Sequence, residues 1–145
     1  MLISFHMNTS QNRPESSAEL SYTVQYDAEA GLITASAQGA IDMQTLTAFV
    51  HAIVSALKEH NCRLVLNDVR EVTVLLSTVQ IYDLPDMIVE LASAEGLEAL
   101  EIKRALVAAG DLSDFSFFET VSLNRMHNIK IFRDMDKARA WLLEK

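Results

Sequence analysis

From Leu20 onward, hydrophobic and polar residues are laid out in two alternating periods. Tyr22, Val24 and Tyr26 occupy every second position between polar neighbours, the pattern of a strand with one buried face. Asp27-Ala-Glu-Ala-Gly31 supplies a turn, and strand character resumes over Leu32 to Ala37. This predicts a β-hairpin whose loop closes at Gly31 and whose second strand ends at Gly39. From Asp42, an acceptor suited to a helix N-cap, Leu46, Phe49, Val50, Ile53 and Leu57 recur at helical spacing and give one apolar face. That helix is expected to stop near His60-Asn61, because Asn tolerates the left-handed conformation that ends helices.

Leu64-Val-Leu66 is apolar throughout, as suits a short strand covered on both faces. Ser77 to about Glu95 reads as a helix that Pro85 should break or kink near Asp83, since proline has no N–H to donate. Lys103 to Ala109 reads as a strand, Ser113 to Met126 as a helix and Ile129 to Phe132 as a strand. Asp134 then caps a last helix through Leu143, with Ala138, Trp141 and Leu142 facing inward. The order β-β-α-β-α-β-α-β-α specifies an α/β fold with a mixed sheet. The leading hairpin is antiparallel, and strands separated by helices pair in parallel through right-handed crossovers. The polar stretch from 8 to 19, with Pro14, is expected to make 1–19 a flexible leader; Met1 to Met7 would add a short strand or be equally loose. Residues 20–145 form one domain.

Composition narrows the function. The chain has 145 residues, 50% of them hydrophobic, and a formal charge of -8, which repels nucleic-acid phosphates and anionic lipid headgroups. No run approaches the ~18 apolar residues of a membrane span, and the first residues lack the basic start of a signal peptide. A cytoplasmic location is the expectation. Cys62 is expected to be a buried structural thiol. His6, His51, His60 and His127 are isolated from one another and from other ligands at metal spacing, and His127 at a helix end would be a cation complementing the dipole. Four glycines exclude a phosphate-binding or dinucleotide loop. No cofactor or metal is expected.

Several short strings together resemble the SpoIIAA-like family, a branch of the STAS-like, anti-sigma-factor-antagonist fold that is also compared with Sec14-type lipid-binding domains. They are Gly39-Ala-Ile-Asp42 leading into a helix, Arg63-Leu-Val-Leu-Asn-Asp-Val69, Ile81-Tyr-Asp-Leu-Pro85, and Ile131-Phe-Arg-Asp134 followed by Ala138 and Trp141-Leu142. The resemblance covers about Tyr22 to Leu143. It implies a STAS-like fold, action by binding a partner protein, and control by phosphorylation of a serine that begins the helix after the central strand. That position falls on Ser77, followed by Thr78; Leu76 stands where the antagonists carry Asp.

Two readings of Ser77 stay open. Ser77-Thr-Val-Gln80 is a capping box, with Leu76 and Ile81 placed as a hydrophobic staple; equally, a phosphate there would be favoured by the helix dipole. Asn67, Asp68 and Arg70 are expected at the carboxyl end of the central strand, where open α/β sheets collect ligands. With Tyr82 they form a candidate partner or ligand surface, against a plain Asp68–Arg70 or Arg70–Glu71 surface pairing. Ser116-Phe-Phe-Glu119 reads as a second capping signature among the acids Asp111, Asp114 and Glu119. No nucleophile–base pair assembles from neighbouring motifs, so the expectation is not an enzyme but a protein-interaction module, with a homodimer through an exposed hairpin edge as one form of partnership. The alternative is a small-molecule or lipid carrier with a pocket under the helix around Pro85, lined by Ile81, Leu84, Met87, Ile88 and Leu91.

Overall fold

The structure, a computed structural model, describes the backbone of residues 2–6 and all of residues 19–144. Six strands form one sheet in sequential order: β1 (Leu2–His6), β2 (Ser21–Asp27), β3 (Leu32–Ile41), β4 (Leu64–Val74), β5 (Lys103–Val107) and β6 (Asn128–Phe132). β1, β2 and β3 pair antiparallel, and β3 to β6 pair in parallel. The helices are α1 (Met43–Glu59), α2 (Thr78–Ala94), α3 (Ser113–Asn124) and α4 (Met135–Leu142), with a single 3-10 turn at Ala99–Glu101. The expected α/β order is present, with β1 added in front of it. β1 lies against β2, so the hairpin edge expected to be open is occupied within the chain. The remainder of the expected leader, 7–18, lies outside the described residues.

Sequential strand order has a direct consequence for layering. The three parallel crossovers step across the sheet in the same direction, and the right-handed rule then sends α1, α2 and α3 to the same face. That face carries the larger core, in which Tyr22, Val24, Ile33, Ala35 and Val65 meet Phe49, Ile53 and Leu57 of α1. α4 alone covers the other face, packing Ala138 and Leu142 on Leu32, Leu66, Ala105 and Val107. One helix is enough there because that face of β2 and β3 beyond Leu32 is mostly polar, with Thr23, Gln25, Thr34, Ser36 and Gln38 not fully buried and only the small Ala40 buried.

Three local expectations are corrected. β4 runs to Val74, eight residues past Leu66, and β3 runs through Gly39 to Ile41. The β3–β4 register slips between Ser36 and Gln38, which pair with Asp68 and Glu71, so β4 carries one extra residue. This bulge moves the inward positions from Val65, Asn67 and Val69 to Val72 and Val74, and the broken alternation hides the rest of the strand. Pro85 does not end its helix: α2 is continuous over 17 residues with Pro85 buried inside it. Ser116 is interior to α3, which begins at Ser113 with Asp111 Oδ1 accepting from the Ser113 amide at 2.9 Å. The Glu119 carboxylate instead accepts from the Ile131 amide at 2.8 Å, on the edge strand β6.

The remaining local signals appear where they were expected. Asp42 caps α1 in a reciprocal box with Thr45, and Asn61 after the helix has φ +47°. Cys62 is buried, its thiol 3.3 Å from the Gly31 carbonyl.

Candidate functional site

α1, α2 and α3 do not close fully on the sheet. Between them lies a cavity of about 130 Å³ with walls that are almost wholly apolar, including Phe49, Ile53, Ile81, Leu84, Ile88 and Phe118. Of the α2 residues expected to line such a space, Ile81, Leu84 and Ile88 do; Met87 instead approaches the Thr47 hydroxyl of α1, with sulfur and oxygen 3.7 Å apart. The staple residue Leu76 also contributes to the wall.

Three polar side chains reach this cavity: Asn67, Arg104 and Asp114. Their strands explain two of them. In the β4–β5 register Val65 pairs with Arg104 and Asn67 with Leu106, so Asn67 and Arg104 project from the same face on adjacent strands, two residues out of step. Arg104 is 9% exposed. Its Nη2 lies 2.9 Å from His127 Nδ1, and its guanidinium stands 5.8 Å from the centre of the Phe118 ring. Among the described residues no carboxylate lies within 4.0 Å of it. Burial lowers the Arg104 pKa to about 10, which leaves the group cationic at neutral pH. The Asn67 Oδ1 is buried without a hydrogen-bond partner.

His127 is not the cation expected at the end of α3. It is 3% exposed, and burial, with the Arg104 charge second, pushes its pKa down to about 4. A neutral ring whose Nδ1 faces the guanidinium must accept there, which places its proton on Nε2.

The outer side of α2 is built differently. Ser77 caps the helix in the expected box: the Ser77 amide donates to Gln80 Oε1 at 2.9 Å, and the Gln80 amide donates to Ser77 Oγ at 3.1 Å. Ser77 and Thr78 are both exposed. Val79, Tyr82 and Val89 follow along one stripe, 69%, 52% and 39% exposed. Arg125, just past α3, holds Tyr82 in place, donating from Nη1 to the Tyr82 carbonyl at 2.6 Å with its guanidinium 4.5 Å from the ring centre.

Alanine at Ser77 removes one acceptor from the helix start and should lower stability by about 1 kcal/mol. Aspartate there keeps an acceptor and adds a favourable charge, and should stay near wild type. Urea midpoints of the two variants provide the check.

No protein-family model matches the sequence, and no curated protein does. Two solved structures are similar. An anti-sigma factor antagonist from Mycobacterium paratuberculosis superposes with a TM-score of 0.55 at 20% identity, covering 87% of this chain and 96% of that one. An uncharacterized protein from the DUF3478 family of Shewanella loihica PV-4, described as having a SpoIIAA-like fold, superposes with a TM-score of 0.56 at 19% identity over 93% of this chain and 99% of that one. The chain has the SpoIIAA-like fold.

Within this SpoIIAA-like frame the four residues expected to share a surface are separated. Asn67 faces the cavity. Asp68 lies on the opposite side of β4, where Arg70 donates to it from Nε at 2.9 Å and from Nη2 at 2.8 Å; that contact holds the Asp68 carboxyl below its ordinary range. Tyr82 is on the outside of α2. Arg104, which lines the cavity, was not singled out from sequence, and its partner His127 was expected only as a helix-end cation. The signal was there for Arg104: counting back by two from Leu106 puts a charged residue on an inward position. Among the described residues no group of three or more His, Cys, Asp or Glu side chains is placed to hold a metal, and no helix is long and apolar enough to cross a membrane.

Proposed function

We propose that this chain is a non-enzymatic, regulatory protein-interaction module of the cytoplasm that binds a partner protein through the outer face of α2. The observation that carries this reading is the exposed stripe Val79, Tyr82 and Val89 beginning one turn from Ser77. Tyrosine is among the side chains that contribute most to binding when a partner removes them from water, and the flanking valines add apolar area. The stripe is rigid, since it sits on a capped helix whose inner residues Ile81, Leu84 and Pro85 are buried. The similar structure of an anti-sigma factor antagonist supports the class of function. A phosphate on Ser77 adds about -1.5 to -2 charges beside Val79, and a docking partner must strip water from that dianion, so phosphorylation weakens binding.

A photo-crosslinking residue in place of Val79, introduced in cells, tests the proposal. One protein should crosslink reproducibly from Val79 but not from a control at Leu100, which is exposed near the 3-10 turn, and Ser77→Asp should suppress it several-fold. Identical products from the two positions overturn the docking face. Unchanged crosslinking in Ser77→Asp leaves Ser77 as a helix cap only. A product that is a second copy of this chain makes the face a homodimer interface.

The cavity favours a second reading, a carrier of a small apolar molecule. A cavity with almost wholly apolar walls takes up apolar solutes; here it lies beneath the helix containing Pro85.

A further inference from the structure

We propose that the cavity beneath α2 binds a small apolar monocarboxylate, its carboxylate held by Arg104 and Asn67 and its hydrocarbon part among Phe49, Ile53, Ile81, Leu84 and Ile88. This rests on the carrier reading and names the ligand's chemistry.

Charge comes first. A guanidinium removed from water is costly to hold unless its charge and its N–H groups are met. The Arg104 partner here is a neutral imidazole, which meets one donor at 2.9 Å and cancels no charge. Among the described residues no carboxylate does so either. One uncompensated cation calls for a monoanion, and the apolar walls exclude a strongly hydrated one such as phosphate.

Geometry gives the head group. Carboxylate is the anion whose two oxygens match the planar fork of arginine. Asn67, diagonal to Arg104 across β4 and β5, presents an amide with an unpartnered Oδ1. A half-turn of that amide exchanges its ends and offers N–H to the second carboxylate oxygen. Arg104 and Asn67 are therefore the polar end of an otherwise greasy site, the arrangement usual for small-molecule pockets.

Size sets the rest. An engineered apolar cavity of roughly 150 Å³ takes up benzene, so about 130 Å³ accommodates one aromatic ring or a short branched chain. A long acyl chain does not fit. Asp114, exposed where α3 meets the cavity, repels a second negative charge on the same ligand.

Benzoate and nitrobenzene have nearly the same shape and differ in charge, so their comparison decides the matter. Titration of the wild-type protein at pH 7, followed by the Arg104 Nε–H and Asn67 side-chain amide resonances, should show benzoate binding at least about tenfold more tightly than nitrobenzene, as a charge-assisted hydrogen bond implies. Arg104→Met should abolish that preference or reverse it, and Asn67→Leu should reduce it. Nitrobenzene binding as tightly as benzoate overturns carboxylate recognition while leaving the carrier reading in place. Failure of both compounds to bind at millimolar concentration overturns both. If Arg104→Met does not fold, the wild-type comparison still decides, and phosphate competing with benzoate at equal concentration would also overturn the assignment.

Discussion

Alanine at position 39 is expected to lower stability by about 3–5 kcal/mol, as large an effect as any single methyl group should have in this chain. Two costs add. Gly39 has φ +106°, a conformation that disfavours every other residue by on the order of 1–3 kcal/mol. A β-carbon there would also overlap the Glu19 carbonyl oxygen and lie 2.9 Å from the carbonyl carbon, both backbone atoms. That segment cannot step aside, since the next residue, Leu20, is completely buried in the main core. The control is Gly31→Ala, where φ is +72° and nothing lies within 4 Å of the added methyl. It should cost only about 1–2 kcal/mol. Thermal melts of the pair should differ by roughly 5–10 °C for a domain of this size. Equal melting temperatures would mean that the chain before β2 does not press on β3.

Acid should weaken the fold well above the pH at which carboxylates titrate, and His127 is the reason. Its pKa is about 4 in the folded protein against 6.5 for an unperturbed imidazole. The unfolded chain therefore binds a proton that the folded one refuses, and stability rises with pH through this window. The contribution is complete above pH 6.5 and is lost as pH falls towards 4, on the order of 2–3 kcal/mol in all. Asp27, Asp68 and Asp111 are each held below the ordinary carboxylate range, by Arg139, Arg70 and Ser113 respectively, so their losses come at lower pH. Urea midpoints measured from pH 7 to pH 4 should fall steadily, and the His127 ring should remain the Nε2–H tautomer by nitrogen NMR down to about pH 5. A midpoint that is flat over this range, or an imidazolium signal at pH 6, would show that the ring is not shielded.

The sheet and its helices were legible because each element carries its own period and its own stop signal. Asp42, Ser77 and Asp134 all accept from amides at the helix starts where the sequence places them. The misreadings have physical causes of the same scale. Period-two counting fails in β4 because the bulge near Arg70 exchanges inward and outward positions. Pro85 lies far enough into α2 that burial of Ile81, Leu84 and Pro85 itself outweighs one missing hydrogen bond. Ser116-Phe-Phe-Glu119 has the composition of a cap, but Asp111 starts the helix a turn earlier.

The site was legible only in part. Local strings gave Ser77 and Tyr82 because a helix start and a helix face are local facts. Arg104 and His127 meet across 23 positions of sequence, and only the parallel pairing of β5 with β6 brings them together. Asn67 was noticed as a strand-end residue, but its inward direction depends on where the bulge falls.

α2 turns Ile81, Leu84 and Ile88 toward the cavity and Val79, Tyr82 and Val89 toward solvent. On the two proposals made above, one helix is the roof of the ligand cavity and the floor of the docking face. Thermodynamic reciprocity then applies: whatever factor an internal occupant imposes on external docking, docking imposes on the occupant. Any coupling carried by that helix would make the occupancy of each site depend on both ligands.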